Sequence, residues 1–153
     1  MNKKCIIVIL PLILIIIGGL YKFIFQGNVS NSHDGRITIH LNIEERDLVL
    51  TEMRGFLIAI QQITTAVTTD NLKQAAQSAR KVGAMTQATV PGTLVGKLPL
   101  AFKKLGFDTH KKFDLLALNA EDFGEKDQVL KQLSTLMQNC VSCHETYRFD
   151  VSK

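Results

Sequence analysis

Residues 126–147 read KDQVLKQLSTLMQNCVSCHETY, and this stretch carries both the clearest helical pattern of the chain and its chemistry. Its apolar side chains recur every three or four residues and share one face: Val129, Leu130, Leu133, Leu136, Met137 and Cys140. This spacing predicts an amphipathic helix that buries one face against other helices. The predicted helix ends in a Cys-x-x-Cys-His motif.

Three upstream segments show the same period, at about 43–67, 70–85 and 94–120. Asn42 followed by Glu45 has the spacing of a capping box at the start of the first segment, and Asp70 is placed to cap the second. Pro99 and Gly106 are positioned to divide the third. Four amphipathic helices with short connections predict an all-α domain over residues 42–153, built as an antiparallel four-helix bundle.

The amino terminus reads as a membrane segment. Residues 5–20, CIIVILPLILIIIGGL, carry no charge, and with residues 21–25 the run reaches about 21 residues, or roughly 30 Å as a helix. Residues 1–25 are therefore predicted to be a membrane anchor or a signal segment. No small-x-small cleavage site follows the run, which favours the anchor. Lys3 and Lys4 precede the run and predict that the rest of the chain is exported.

Residues 26–41 are predicted to link the two parts. The first portion, QGNVSNSHDGR, is polar and is typical of a flexible tether. Ile37, Ile39 and Leu41 then alternate with polar residues, which is the pattern of a strand. Because one strand cannot build a sheet, we expect an extended lead-in that packs lightly on the helical domain.

The charge distribution argues against a nucleic-acid partner. The chain has 18 basic and 14 acidic residues, but Lys3, Lys4 and Lys22 flank the apolar run, so the remainder is nearly balanced. A nucleic-acid binder is expected to carry clustered basic charge on its folded part. Three cysteines are also too few for a disulfide-stapled scaffold.

The Cys140-Val141-Ser142-Cys143-His144 motif is the pattern of covalent haem c attachment. Cysteines three residues apart lie within one helical turn, so each thiol can add to one vinyl group of a single porphyrin, and the adjacent His144 can ligate its iron. A redox Cys-x-x-Cys pair usually opens a helix after a strand, and structural zinc needs four ligands. Neither context is visible, so the sequence predicts one haem c.

The stretch CVSCHETYR, residues 140–148, lies near the carboxyl end of the predicted bundle and resembles the cytochrome c prime family of class II c-type cytochromes. The resemblance implies thioether links at Cys140 and Cys143 and a proximal iron ligand at His144. It places Arg148 near the proximal face or a haem propionate. Arg54, in the first long helix, corresponds to a family arginine that approaches a propionate. Family members often pair through their first helices, so a homodimer is a further expectation.

The opposite face of the iron would decide the function. In the family the distal residue follows the helix arginine by one turn, which implies Ile58, a side chain that cannot ligate and would leave an open site. Met53 is the alternative, as a sixth ligand. The two side chains are about 140° apart on a straight helix, so both cannot face the same spot. His110 lies in a polar stretch and is expected to be exposed.

The expected function is that of a membrane-tethered periplasmic c-type cytochrome at a bacterial inner membrane, or a periplasmic one if the segment is cleaved. It would pass single electrons to periplasmic or membrane redox partners. The alternative is a five-coordinate haem module that binds a small gas such as nitric oxide or carbon monoxide. An enzyme is not expected, because a peroxidase needs a distal acid–base group and none is convincingly placed.

Overall fold

The computed structural model describes residues 3–122 and 124–151; residues 1–2, 123 and 152–153, which fall within the predicted anchor and helical domain, lie outside the described residues. The helices are α1 (Lys3–Tyr21), α2 (Ile43–Thr68), α3 (Leu72–Arg80), α4 (Gly92–Lys97), α5 (Leu100–Asp122) and α6 (Lys126–Thr146). A π-helical turn, Lys22–Gln26, follows α1, and a 3-10 helix, Ala84–Thr89, precedes α4. The strands are β1 (Val29–Asn31), β2 (Ile37–Leu41) and β3 (Tyr147–Val151).

The start of α2 confirms the predicted capping box. The Asn42 side chain accepts a hydrogen bond from the Glu45 backbone N–H at 2.7 Å, and the Asn42 backbone N–H donates to Glu45 Oε2 at 2.9 Å. The cap of α3 is shifted by one residue from the prediction, because Asn71 rather than Asp70 accepts from the Gln74 N–H. Asp70 instead adopts a left-handed φ of 60°, which turns the chain between the two helices.

Four helices, α2, α3, α5 and α6, enclose the main hydrophobic core. Phe113 is fully buried at its centre and stacks on Phe56 at a centroid distance of 5.4 Å. Ala75, Ala76 and Ala79 of α3 are fully buried, and their small side chains let α3 approach its neighbours closely. The predicted helical domain with a helix-packed core is therefore present.

The second predicted helix ends earlier than residue 85, and its end has a local cause. Gly83 lies so close to α5 that a Cβ there would fall 1.9 Å from Asp114 Oδ1. Asp114 Oδ2 accepts a hydrogen bond from the Ala84 N–H at 2.9 Å, so the chain leaves α3 and restarts as the 3-10 helix. Pro99 divides the following region as predicted, whereas Gly106 lies inside the uninterrupted α5.

The fold is mostly helical, as predicted, but the all-α prediction is incomplete because a three-stranded sheet is also present. Its order is β1-β2-β3, with β1 antiparallel to β2 and β2 parallel to β3. Ile39 of β2 lies opposite Val29 on one side and Phe149 on the other, and it is fully buried. Residues 26–41 are therefore not a loosely packed lead-in, since the end of the chain supplies the partner strand that they need.

The sheet rests on a second hydrophobic cluster, formed with α4 and the start of α5. Phe102 of α5 contacts Tyr147 and Phe149 edge-on, with ring centroids 5.3 Å and 5.7 Å away. Leu94 and Leu98 complete the cluster from α4 and the residue after it. These contacts fix the chain immediately after α6, and so they fix the direction in which the Cys-x-x-Cys-His motif is presented.

The amino-terminal helix stands apart from both cores. Residues Ile7–Gln26 have a mean hydropathy of 2.6 and no buried residue, and they are long enough to cross a membrane. An exposed apolar helix at this end of a chain is consistent with either a signal sequence or a single membrane anchor.

Candidate functional site

The Cys-x-x-Cys-His motif occupies the last turns of α6, as the sequence predicts for residues in a helix. Cys140 and Cys143 are half-buried and are not joined to each other, whereas His144 is exposed. The helix ends at Thr146, and Tyr147 is buried as the first residue of β3. The motif is thus held between the helical core and the sheet.

Both thiols lie in surroundings that favour their neutral form. Burial raises the pKa of the Cys143 thiol to about 11, and the neighbouring Cys140 adds a smaller electrostatic contribution in the same direction. Burial also raises the pKa of Cys140. Cysteines that serve thiol–disulfide exchange have a lowered pKa, because the thiolate is the nucleophile. The local environment therefore does not favour the redox-pair alternative.

A cavity of about 840 Å³ lies in front of the motif. Its walls come from α2, α5 and α6 and from the segment that joins α3 to α5, and most of its lining is apolar. Cys140, Cys143 and His144 all contribute to this wall. The volume lies within the range of about 300–1,000 Å³ typical of small-molecule and cofactor sites.

His144 also lines a second, smaller cavity of about 260 Å³. It shares Leu50, Met53, Phe102, Cys143 and His144 with the larger one, so the two are neighbours along the end of α6. Arg36, Arg46 and Arg148 line it, and of these Arg36 is already paired with Asp34 at 2.6 Å. Their concentration beside an apolar cavity suits a ligand with an apolar body and anionic groups at one edge.

The position of α6 against α5 is fixed one residue before the motif. Asn139 is buried, and its amide donates to Asp108 Oδ2 at 2.8 Å and to Thr109 Oγ1 at 3.1 Å. Lys112 Nζ donates to the side-chain oxygen of Asn139, Oδ1, at 2.9 Å. All polar atoms of the Asn139 side chain are therefore engaged, and the adjacent Cys140 is held toward the larger cavity.

His110 also lines the larger cavity, and the expectation that it is exposed is wrong, because it is only 1% exposed. Its Nδ1 lies 2.8 Å from the Val82 carbonyl oxygen, and its Nε2 lies 3.2 Å from Glu52 Oε1. A carbonyl can only accept, so Nδ1 carries a proton, and a second proton is needed between Nε2 and the carboxylate. Burial by itself lowers the pKa of His110, but the hydrogen bonds to Glu52 and Val82 outweigh it, so the pKa is raised overall.

Several residues predicted for the site do come together around the motif. Met53 is half-buried and lines both cavities. Arg54 lines the larger cavity and donates to Thr51 Oγ1 at 2.8 Å, and its side chain is exposed. Arg148 lines the smaller cavity and donates to Ser32 Oγ at 3.1 Å.

Ile58 is not brought to the site. Its side chain is 56% exposed and lines neither cavity. The cause is the rotation of α2, which turns Met53 inward and Ile58 outward about 140° away, as the helix period requires. Met53 is therefore the one of these two side chains that faces the cavities, and the identity of the distal residue stays a prediction.

Arg46 and Leu50 were missed by the sequence reasoning. Leu50 lines both cavities and Arg46 lines the smaller one. They have the same four-residue spacing as Arg54 and Ile58 but occur two helical turns earlier in α2. This repeated spacing is the signal that could have identified them, since the resemblance specifies an arginine and the residue one turn after it.

Within residues 3–122 and 124–151, no three His, Cys, Asp or Glu side chains come together as a metal-ion site. A zinc ion at the motif would therefore have to find further ligands elsewhere. Comparison of the chain with protein-family models, with curated proteins and with solved structures finds no match.

Proposed function

We propose that this protein is a membrane-anchored c-type cytochrome that carries one covalently attached haem and transfers single electrons outside the bacterial cytoplasmic membrane. One observation carries the proposal: the Cys-x-x-Cys-His motif forms part of the wall of an apolar cavity of about 840 Å³. The four helices α2, α3, α5 and α6 would form an antiparallel bundle of the cytochrome c prime type, to which the small sheet is added.

The residues of the cavity fit a haem group. Cys140 and Cys143 would hold it by thioether bonds, formed when each S–H adds across one vinyl group, the sulfur to one carbon and the hydrogen to the other. His144 would be the axial ligand on the protein side. When bound, the group would supply reversible one-electron chemistry at iron. The surrounding apolar side chains, among them Phe102, would exclude water from it.

The arginines would hold the carboxylate edge of the group. Arg54 reaches the larger cavity from α2, and Arg46 and Arg148 reach the smaller one from α2 and β3. Arg46 pairs with Asp47 at 2.8 Å, but both side chains are exposed, so the pair contributes little and could be exchanged for a propionate. The Arg148 guanidinium donates to the hydroxyl of Ser32, which is a neutral partner. Its charge can therefore pair with a propionate.

Met53 lines both cavities and Ile58 lines neither, which supports Met53 over Ile58 as the residue that would contact the iron. A methionine ligand would give a six-coordinate centre, which suits electron transfer. Leu50 lines the same two cavities, and it supports the second candidate function. If Leu50 rather than Met53 covers the iron, the site is open and apolar, and it would bind nitric oxide or carbon monoxide.

We do not propose a peroxidase. His110 lines the larger cavity, but both of its ring nitrogens are engaged, by the Val82 carbonyl and by Glu52. Proton transfer to a bound peroxide needs a nitrogen that faces the substrate.

Absorption spectra test the two candidate functions. In the electron carrier, the ferric protein shows a low-spin spectrum with a methionine–iron charge-transfer band, and Met53→Leu abolishes that band. Met137→Leu is the matched control, because Met137 also lines the larger cavity but lies on α6, three residues before Cys140. A high-spin ferric spectrum that Met53→Leu leaves unchanged, together with rapid carbon monoxide binding, would support the gas-binding function instead.

A further inference from the structure

The end of the amino-terminal helix is fastened to the helical domain. Lys103 Nζ, at the start of α5, donates to the carbonyl oxygens of Phe23 and Ile24, each at 3.1 Å, and it lies 5.8 Å from the centre of the Phe23 ring. On the other side the Phe23 ring packs on Gly96 of α4, where a Cβ would come within 2.1 Å of the ring. The last turn of the apolar segment is thus held by two elements of the domain.

The segment that follows this contact is short and tightly packed. Gly27 has φ 70° and ψ −164°, a conformation open essentially to glycine alone, and a Cβ there would lie 2.5 Å from the Lys97 carbonyl oxygen. The next residue, Asn28, donates its backbone N–H to the same oxygen at 2.8 Å. The predicted flexible tether is therefore replaced by a short, packed connection, which sets the direction of the helix relative to the domain.

The fastened turn coincides with the edge of the predicted bilayer span. Phe23 and Ile24 lie within the last turn of the apolar window Ile7–Gln26. Tyr21 stacks on Phe25 at 5.6 Å, both rings are at least half-exposed, and Lys22 lies between them. Aromatic and lysine side chains at the end of an apolar helix are typical of the water–membrane interface. The start of α5 must then lie at the same depth.

The charge of the adjoining surface suits anionic lipid headgroups. Residues 92–107, which comprise α4 and the first two turns of α5, contain three lysines and no acidic residue. Lys97 is paired with Glu45 of α2 at 2.6 Å, so Lys103 and Lys104 supply the positive charge of this surface. Acidic residues are in fact missing from the whole sequence between Asp70 and Asp108. Phe107, one turn after Lys103 on the same face of α5, is 48% exposed. A basic surface that carries an exposed aromatic ring is the composition of a membrane-contacting face.

We propose that the face formed by α4 and the first two turns of α5 lies against the anionic headgroup layer of the membrane that α1 enters, with Lys103 and Phe23 joining the domain to the anchor. The inference rests on the anchor that belongs to the proposed function, and it adds a fixed orientation. The larger cavity, which Lys103 and Phe107 also line, is then presented close to the lipid surface. The electron-transfer partner of the protein would then reside in or on that membrane.

Cysteine labelling in lipid nanodiscs tests this surface. Lys104→Cys and Lys111→Cys are matched probes, because both lysines are exposed on α5 and they are separated by seven residues, about 10 Å along the helix. Each is placed in the full-length haem protein with Cys5→Ser, so that the new cysteine is the reactive thiol. The rate of reaction with a water-soluble maleimide is divided by the rate for the same protein after denaturation.

In nanodiscs that contain phosphatidylglycerol, the normalised labelling rate is expected to be about tenfold lower at residue 104 than at residue 111. Such a ratio is expected of a site that is occluded most of the time. Adding Lys103→Ala to Lys104→Cys is expected to restore the rate. Equal rates at both positions would overturn the proposal, and so would occlusion of both, since that would lay the whole of α5 on the membrane. Occlusion that persists in phosphatidylcholine alone would overturn the role of anionic headgroups.

The same samples separate failure of this inference from failure of the proposed function. If haem is not attached, Cys140 and Cys143 react as well, and the mass of the product shows the extra labels. If α1 is not an anchor, the protein does not incorporate into nanodiscs at all. Incorporated haem protein with equal rates at residues 104 and 111 would contradict the membrane-contacting face alone.

Discussion

The buried pair between His110 and Glu52 makes a stability prediction whose sign changes with pH. The geometry requires a proton between His110 Nε2 and the Glu52 carboxylate, since Nδ1 already donates to the Val82 carbonyl. The pKa of His110 is raised in the folded protein from its ordinary value of 6.5. Its contribution to stability is therefore fully present below pH 6.5 and is lost as the pH rises through the raised value.

The variant Glu52→Gln removes the charge and keeps the shape. A hydrogen bond to a charged group contributes about 1.5–3 kcal/mol. Glu52 is 34% exposed, so solvent screening reduces the expected loss to about 1–2 kcal/mol near pH 6. For a domain of this size the loss corresponds to a Tm lower by about 4–8 °C. At a pH above the raised pKa of His110, its Nε2 has lost the proton and the glutamine amide can donate to it, so the variant is expected to match or exceed the wild type.

Thermal unfolding of the detergent-purified protein at pH 6 and pH 9 measures this difference. Glu44→Gln is the control, because it removes an exposed carboxylate from the first turn of the same helix, about two turns before Glu52. Any change in Tm that it causes should be equal at the two pH values. A Glu52→Gln variant that is equally destabilised at pH 6 and pH 9 would refute the assignment of a shared proton to the pair.

Two further predictions test the parts of the fold that hold the site. Ile39→Ala should lower the free energy of unfolding by about 2–5 kcal/mol, because Ile39 is fully buried in the central strand. Ile43→Ala is the control and should change this free energy by less than about 0.5 kcal/mol, because Ile43 is 57% exposed. Chemical denaturation measures both values. Equal effects would mean that the sheet is not part of the cooperative core. Gly27→Ala should destabilise the protein more than Gly35→Ala. Both glycines have a positive φ, but of the two only Gly27 is enclosed by the backbone of residues 97–99. A Tm for Gly27→Ala at or above that of Gly35→Ala would contradict the packed connection.

Local signals in the sequence were sufficient for part of this structure. The capping box of Asn42 and Glu45 depends on residues three apart, and it fixes the start of α2. The spacing of Cys140 and Cys143 likewise places both thiols on one side of a helix without reference to the rest of the chain. The apolar amino-terminal helix is visible from composition alone. These features need no knowledge of distant partners.

The features that the sequence did not predict depend on distant partners. Strand β2 pairs with β3, more than 100 residues later in the chain, and residues 147–151 carry no strong strand pattern of their own. His110 is buried because the Val82 carbonyl and Glu52, from two other segments, meet its two nitrogens. A polar stretch gives no sign of such partners.

The sequence also did not predict which face of α2 points toward the core and the cavities. Large apolar residues occur on both sides of this helix, and two of them, Leu57 and Ile58, are more than half-exposed. The inward face is selected by contacts with α3, α5 and α6, which the helix period alone does not specify. For this reason Leu50 and Met53, rather than Ile58, reach the cavities.

The intact mass of the denatured protein, produced in cells with c-type cytochrome maturation machinery, reports whether haem is covalently attached. We expect a mass above that of the polypeptide by about 616 Da, because one haem is added across two vinyl groups with no atoms lost. Cys140→Ser combined with Cys143→Ser should abolish this addition. A wild-type protein whose denatured mass equals that of the bare polypeptide would show that no haem is attached and would refute the proposed function.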